Sequence, residues 1–469
     1  MIALLLLVML VVAPVLGQER RPPESGRPPS LTLPTVHKRT LSNGIPVWVV
    51  ERHQVPVVAV DLLLTSGSAS DPVGAYGLAS MTAGMLDEGA GTRDALALAD
   101  ELDYLGASLG ASTSYDATSI GLYVPVARLA QALPVMSDVV LRPTFPAAEL
   151  ERRRTELLVE FSRVSDDPGT IARLAFPHVL FGSEHRFGTG LTGRMAFVKA
   201  VTREQLAAFH ASRYRPEKAA FIVVGDVKVD EVVDLLEAQF GNWKAGAPAE
   251  EPTVVASAQH GPRAVYLVDK PGAAQSVIRI GRVGVDRATP DYFALEVLNT
   301  ILGGSFTSRL NQNLREKNGY TYGARSGFDM RRLPGPFVAT AAVQTDKTAE
   351  AVREFFVELD GMKKTVPEGE LSKARNNVAY GFPSSFATNQ EVAGQLEEQL
   401  LYGLPDDYYA TYVDKILSVT PSEVQAAAAK QMQTDSMAVV IVGDVKVIRP
   451  GLEALKLGPI KVVELKELL

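Results

Sequence analysis

The segment IVVGDVKV at residues 222–229 recurs as VIVGDVKV at residues 440–447, 218 positions further along the chain. At the same offset, Thr202 and Thr420 each open a capping box, with Gln or Glu three residues later. Each cap is followed by an alanine-rich helical stretch and then by an apolar strand that ends in Gly-Asp. Because cap, helix, strand and offset agree together, the sequence indicates two copies of one structural unit.

The patterns around this repeat predict an α+β fold with two homologous domains. Short strands with β-branched alternation follow one another through tight turns, which favours antiparallel sheets with helices packed on one face. A stretch rich in proline, alanine and glycine at 245–262 is expected to be an interdomain linker. It separates an amino-terminal domain at 37–244 from a carboxy-terminal domain at 263–469.

The amino-terminal residues 1–17, MIALLLLVMLVVAPVLG, carry no charged side chain. Their apolar run is too short to span a bilayer comfortably, and small residues precede Gln18, which predicts a secretory signal peptide. An uncleaved amino-terminal anchor is the alternative. Residues 18–36 are rich in proline and charge and are expected to form a disordered tether. We therefore expect a secreted, periplasmic protein without stable membrane insertion after signal cleavage.

Composition excludes several classes of function. The chain has 469 residues, which is too long for a single core and fits two or three domains. Its formal net charge of −7, with scattered lysines and arginines, argues against a nucleic-acid partner. It contains no cysteine, so disulfides, zinc–thiolate sites and thiol nucleophiles are excluded.

Several segments carry a specific family resemblance. LSNGIPVWVVE at 41–51, SGSASDPVGAYGLA at 66–79, SDDPGT at 165–170 and RAVYLVDKPGAAQSVIRIG at 263–281 are the clearest. Together they resemble the pitrilysin/insulinase/mitochondrial-processing-peptidase family, and the similarity runs from about residue 38 to residue 447. The resemblance implies two homologous α+β domains that form half of a hollow clamshell.

The zinc-binding motif of that family is missing. Its peptidases hold zinc through an HxxEH helix, whose histidines are ligands and whose glutamate is the general base. Aligned on Gly77, the motif falls on Ser80, Ala83 and Gly84, so no catalytic or metal-binding side chain remains there. Glu160 matches the third ligand and is interpreted as a relic ligand position; a solvated helix residue is the alternative.

A second family feature is retained in the carboxy-terminal half. SRLNQNLREKNGYTYGARSGF at 308–328 resembles the segment that bears the family's substrate-binding pair, here Arg315 and Tyr322. Asn318-Gly319 is expected to end a helix in a left-handed cap, with Arg315 in the last turn and Tyr322 on the next strand. The alternative is an arginine that serves the helix end and a tyrosine in the core.

These features predict a non-catalytic, substrate-binding subunit of a secreted, heterodimeric zinc metalloendopeptidase that acts on peptides or unfolded segments. The resemblance implies an HxxEH-bearing homologous partner that holds the zinc, with no cofactor in this chain. The alternative is a stand-alone peptide-binding or scaffold protein. An active hydrolase with a different site is a third, weaker interpretation.

Overall fold

The computed structural model describes residues 33–244, 254–255, 257–259 and 261–469. The predicted signal peptide at 1–17 and most of the two predicted linkers lie outside these residues. The last residues of the predicted tether are described, and Leu33 and Val36 pack against the core of the carboxy-terminal half. Within the described chain, no helix is both long enough and apolar enough to cross a membrane.

Fourteen strands are present in the described residues. In chain order they are β1 (His37–Thr40), β2 (Pro46–Glu51), β3 (Val57–Leu64), β4 (Gly89–Ala90), β5 (Arg93–Asp94), β6 (Ser108–Thr113), β7 (Thr118–Pro125), β8 (Ala219–Gly225), β9 (Ala264–Asp269), β10 (Gln275–Val283), β11 (Thr321–Phe328), β12 (Pro336–Gln344), β13 (Ala438–Gly443) and β14 (Ile460–Val462).

The α-helices of the described chain alternate with these strands. They are α1 (Leu78–Ala83), α2 (Ala95–Leu105), α3 (Leu129–Leu141), α4 (Ala147–Arg163), α5 (Pro168–Phe181), α6 (Met195–Ala200), α7 (Arg203–Arg213), α8 (Val229–Phe240), α9 (Tyr292–Asn299), α10 (Thr348–Gly361), α11 (Glu368–Gly381), α12 (Asn389–Leu401), α13 (Tyr408–Ser418), α14 (Pro421–Gln431), α15 (Val445–Ala454) and α16 (Leu465–Leu468). Two π-helical segments, Thr300–Gly304 and Asn311–Lys317, follow α9.

The larger strands form two six-stranded sheets, one in each half. This arrangement confirms the predicted α+β fold with two homologous domains. The order is β1-β2-β8-β3-β7-β6 in the first sheet and β11-β12-β10-β13-β9-β14 in the second. Most neighbours are antiparallel, but β2 runs parallel to β8, and β9 runs parallel to both β13 and β14. The sheets are therefore mixed, because each half brings its late repeat strand back beside its first strand.

The repeated segments occupy equivalent places in the two sheets. Thr202 and Thr420 both accept a hydrogen bond from the backbone three residues on and form complete capping boxes. The following strands, β8 and β13, are buried along their whole length. The strand that carries the sequence repeat is thus an interior strand of each sheet, next to the first long strand of its half.

Each half covers one face of the other half's sheet. Helix α5 packs against β10 and β13 of the second sheet, and α12 packs against β3 and β8 of the first. The fit under α5 is tight, since a β-carbon at Gly281 would lie only 2.9 Å from Cζ of Phe176. Helices of the same half, such as α3 and α8, cover the opposite face of the first sheet. Helices α5 and α12, each packed on the sheet of the other half, thus join the two halves through shared hydrophobic cores.

Candidate functional site

Helix α1 carries the positions where the family holds its metal, and it is shorter than the sequence suggests. The spacing predicts a helix over 77–88, but α1 ends at Ala83. Gly84 closes it, and the next two amides bond to carbonyls only three residues back. The chain then turns into the small β4–β5 hairpin through Gly89, whose φ of +158° suits glycine.

A buried ion pair holds the amino-terminal end of α1. The Asp71 carboxylate accepts hydrogen bonds from the amides of Gly77 and Ala79 at 2.8 and 2.7 Å, so it caps the helix. Arg186 lies 3.0 Å from the same carboxylate, and both side chains are almost fully buried. Burial raises the pKa of Asp71 to about 6, against the opposing effects of Arg186 and the two amides. Sequence reasoning did not identify this pair.

The residues at the degenerate motif do not fit a zinc ion. Ala83 and Gly84 have no donor atoms, and Ser80 offers only a hydroxyl. A guanidinium nitrogen of Arg153, on α4, lies 3.6 Å from the point that a β-carbon at position 84 would occupy. This guanidinium, which also pairs with Glu156 at 3.2 Å, is no ligand for a metal ion. Among the described residues, no group of three or more His, Cys, Asp or Glu is arranged to hold a metal.

Glu160 lies on the same helix as Arg153, two turns further on, and is exposed to solvent. It lines a cavity of about 450 Å³ between the end of α4, the start of α5 and the loop at 190–193. Apolar side chains such as Leu157 and Phe161 form much of the cavity wall, and Arg163 and Arg173 line it as well. The relic ligand position therefore borders a cavity that carries both apolar and cationic groups.

Arg315 lies where the sequence predicts, in the last turn of the π-helical segment Asn311–Lys317, which Asn318 caps. The Arg315 carbonyl accepts a hydrogen bond from the amide of Gly319 at 3.0 Å, and Gly319 has a φ of +64°. The left-handed cap is thereby confirmed. The guanidinium lies 4.5 Å from the ring centroid of Phe306 and 3.5 Å from the carboxylate of Glu316.

Tyr322 is 90% exposed, so it is not a core residue. It follows the first residue of β11, the edge strand of the second sheet, where the pairing with β12 shifts between Thr321 and Ala324. This irregularity turns the ring toward solvent instead of burying it. Phe306, beside Arg315, is 66% exposed as well. The retained family segment thus presents a guanidinium, a phenol and an apolar ring on the surface near β11.

The glycines before this segment allow close packing. A β-carbon at Gly303 would lie 2.4 Å from the amide of Ser326 on β11, and one at Gly304 would lie 2.9 Å from the Asn299 side chain. These glycines end the π-helical segment against the strand. The absence of side chains at these two glycines lets the end of the π-helical segment lie close to β11.

A pair of half-buried carboxyl groups lies between the halves. Asp61 on β3 faces Glu397 on α12, and the Ser119 hydroxyl donates to Glu397 at 2.6 Å. Burial, followed by the charge of Glu397, raises the pKa of Asp61 to about 7. Burial also raises the pKa of Glu397. The only signal in the sequence is one carboxylate inside the otherwise apolar strand VVAVDLLL at 57–64.

Comparisons with known proteins agree with this architecture. The family "Insulinase (Peptidase family M16)" matches residues 47–183, and "Peptidase M16 inactive domain" matches residues 200–378. An uncharacterized zinc protease of Mycobacterium leprae is 28% identical over 398 residues, which cover 84% of this chain and 88% of that protein. One of Bacillus subtilis is 23% identical over 376 residues, covering 78% and 89%.

Solved structures show the same fold. A peptidase M16 inactive domain from Pseudomonas fluorescens has a TM-score of 0.81 and 29% identity, covering 87% of this chain and 98% of that one. A protease from Helicobacter pylori also has a TM-score of 0.81, at 23% identity, covering 87% and 100%.

Fold and site define the class: a peptidase scaffold of two homologous α+β halves whose metal-binding helix has lost its donors. The chain belongs to the pitrilysin/insulinase family, peptidase family M16, as a non-catalytic member without the HxxEH motif.

Proposed function

We propose that this chain is the substrate-binding, non-catalytic subunit of a secreted two-subunit zinc endopeptidase. The carrying observation is the contrast between the two halves. The first half has lost both histidines and the glutamate of the motif, whereas the second keeps Arg315 and an exposed Tyr322 on edge strand β11. The names of the relatives, zinc proteases, support a link to zinc-dependent proteolysis.

Arg315 and Tyr322 supply hydrogen-bond donors of the kind that peptide-bond cleavage requires. A guanidinium and a phenol can both donate to a peptide carbonyl, and such donors act most strongly where oxyanion charge develops. Tyr322 and Arg325 are exposed on edge strand β11, so their side chains are accessible to an extended peptide. We therefore assign the peptide or unfolded segment to this face.

The partner in this proposal is a homologous subunit with an intact HxxEH helix, and zinc belongs to that subunit. The uncharged apolar residues 1–17 support export to the periplasm. A stand-alone peptide-binding protein is the second candidate. It is supported by the same exposed face, because binding through Tyr322 and β11 needs no hydrolytic partner.

The test is co-expression with an HxxEH-bearing partner, such as one encoded in an adjacent reading frame, followed by a peptide-cleavage assay. We expect Arg315→Ala and Tyr322→Phe each to lower kcat/KM of the complex by about 100-fold, as loss of an oxyanion donor does. Tyr104→Phe is the matched control, because Tyr104 is 75% exposed on α2. If both test variants turn over peptides like the unmodified complex, the assigned role is wrong. Specific peptide binding without any active partner complex would favour the stand-alone candidate.

A further inference from the structure

One face of the second sheet carries two arginines in register. Arg279 on β10 lies opposite Thr340 on β12, and Thr340 lies opposite Arg325 on β11. Directly opposed residues point to the same face, and neighbouring strands are about 4.8 Å apart, so the two arginine Cα atoms are about 10 Å apart. The row runs from the exposed edge strand toward the covered centre of the sheet.

Helix α5 brings a third arginine to this row. Phe176 packs on Gly281, which lies two residues from Arg279 on the same face of β10. Arg173 precedes Phe176 by one helical turn, so it lies on the same side of α5, near Arg279. Burial lowers the pKa of Arg279, and the nearby positive charge of Arg173 lowers it further.

None of these three arginines forms a close ion pair with a carboxylate among the described residues. Nε of Arg279 is buried without a hydrogen-bond partner. Arg325 makes no hydrogen bond or ion pair among the described residues, and Arg173 donates only to the Thr170 hydroxyl at 2.6 Å. Asp167 accepts bonds from the first amides of α5, and its pKa is lowered by the Thr170 hydroxyl and, more weakly, by the charge of Arg173. Arg279 is half-buried, and Arg173 and Arg325 are exposed, so an anion from solvent can approach the row and pair with these guanidinium groups.

We propose that Arg173, Arg279 and Arg325 form a binding site for the carboxylates of a bound peptide. That the ligand is a peptide rests on the proposed function. That the site prefers an anionic peptide rests on these three arginines. Guanidinium groups suit carboxylates because they donate two parallel hydrogen bonds in a fixed geometry.

The surroundings favour a peptide over a small inorganic anion. Arg173 also lines the cavity of about 450 Å³ that borders Glu160, where Leu157, Phe161 and Leu174 supply apolar wall. A peptide can place apolar side chains in this cavity while its carboxylates reach the arginines. An inorganic anion can contact the arginines but cannot fill the apolar cavity.

The experiment measures binding of labelled peptides to the isolated full chain by fluorescence anisotropy, with no partner present. The probes are peptides of equal length that are rich in Glu, Gln or Lys, each with a free or an amidated carboxy terminus. We expect a carboxylate-bearing peptide to bind about tenfold more tightly than its amidated Gln counterpart. Dependence on Glu assigns the site to side chains, and dependence on the free terminus assigns it to the chain end.

Arg279→Gln and Arg325→Gln should each remove that preference, while the amidated Gln peptide binds as before. Arg449→Gln is the matched control, because it removes the same charge from an exposed ion pair on α15. Since Arg325 is exposed, its variant tests the site even if Arg279→Gln fails to fold. The proposal is overturned if the preference survives Arg325→Gln, if it is absent in the unmodified chain, or if inorganic phosphate competes as well as the peptide. Because turnover of the complex is measured separately, failure here leaves the role of Arg315 and Tyr322 standing.

Discussion

Replacing Asp61 by asparagine should stabilise the protein at neutral and alkaline pH. Asp61, on β3, is half-buried against α12, and its charged neighbour across the interface is Glu397. Asparagine keeps the shape of the side chain and removes the charge. The interface between the halves then no longer contains an ionised Asp61 beside another carboxyl group.

The magnitude follows from the difference between the ordinary pKa of 3.8 and the folded-state value of about 7. Between these values the native state keeps a proton that the unfolded chain has lost, so stability falls as pH rises through this window. At 1.36 kcal/mol per pH unit, the full difference is on the order of 4 kcal/mol. Asp61→Asn should therefore be more stable than the unmodified chain by up to about 4 kcal/mol above pH 7, and nearly equal to it near pH 4.

Urea unfolding at a series of pH values between about 4 and 8 measures this difference directly. Asp100→Asn, the same substitution at an exposed position of α2, should leave the pH profile unchanged. Glu397→Gln should reduce the benefit of Asp61→Asn, since Glu397 contributes to the raised pKa of Asp61. A difference that stays constant with pH, or an asparagine variant that is less stable at pH 8, would refute the reasoning.

Three further outcomes are expected. Asp71→Ala should lower the free energy of unfolding by about 3–5 kcal/mol, because it leaves Arg186 buried without its counter-charge and uncaps α1; urea unfolding that matches the unmodified chain would contradict this. Phe176→Ala should cost about 3–5 kcal/mol and speed amide exchange in 168–181, since the ring joins α5 to the second sheet. The chain purified alone should contain far less than one equivalent of zinc by elemental analysis and should show no proteolysis sensitive to EDTA. Stoichiometric zinc in that preparation would argue against the non-catalytic assignment.

Local patterns predicted the elements well where neighbouring residues decide them. The sequence pattern predicts a strand over 264–269 and a helix over 129–141. Both have these bounds in the structure, and both capping boxes form. The left-handed cap at Gly319 forms for the same reason, since the cap depends on residues within one turn. The predicted helix over 77–88 was wrong beyond Ala83, because the chain leaves the helix at Gly84 and enters strand β4 at Gly89.

The groups that only the folded structure brings together lie far apart in sequence. Asp61 meets Glu397 across more than three hundred residues, and the neighbours of Arg279 come from a helix of the other half. Neither hydrophobic periodicity nor a sequence motif predicts contacts between residues so far apart in the chain. Tyr322 is similar, because its exposure depends on a pairing irregularity in an edge strand rather than on its own residue type.

The sequence by itself determined the duplication, the α+β class, the family and the loss of the zinc donors at Ser80, Ala83 and Gly84, since each of these depends on residue identity at known spacing. Tertiary structure alone decided that α5 and α12 cover the opposite half's sheet, and hence which charged side chains are buried between the halves. The physical reason is that side-chain periodicity says which face of an element is apolar, whereas the partner of that face is chosen by the path of the whole chain.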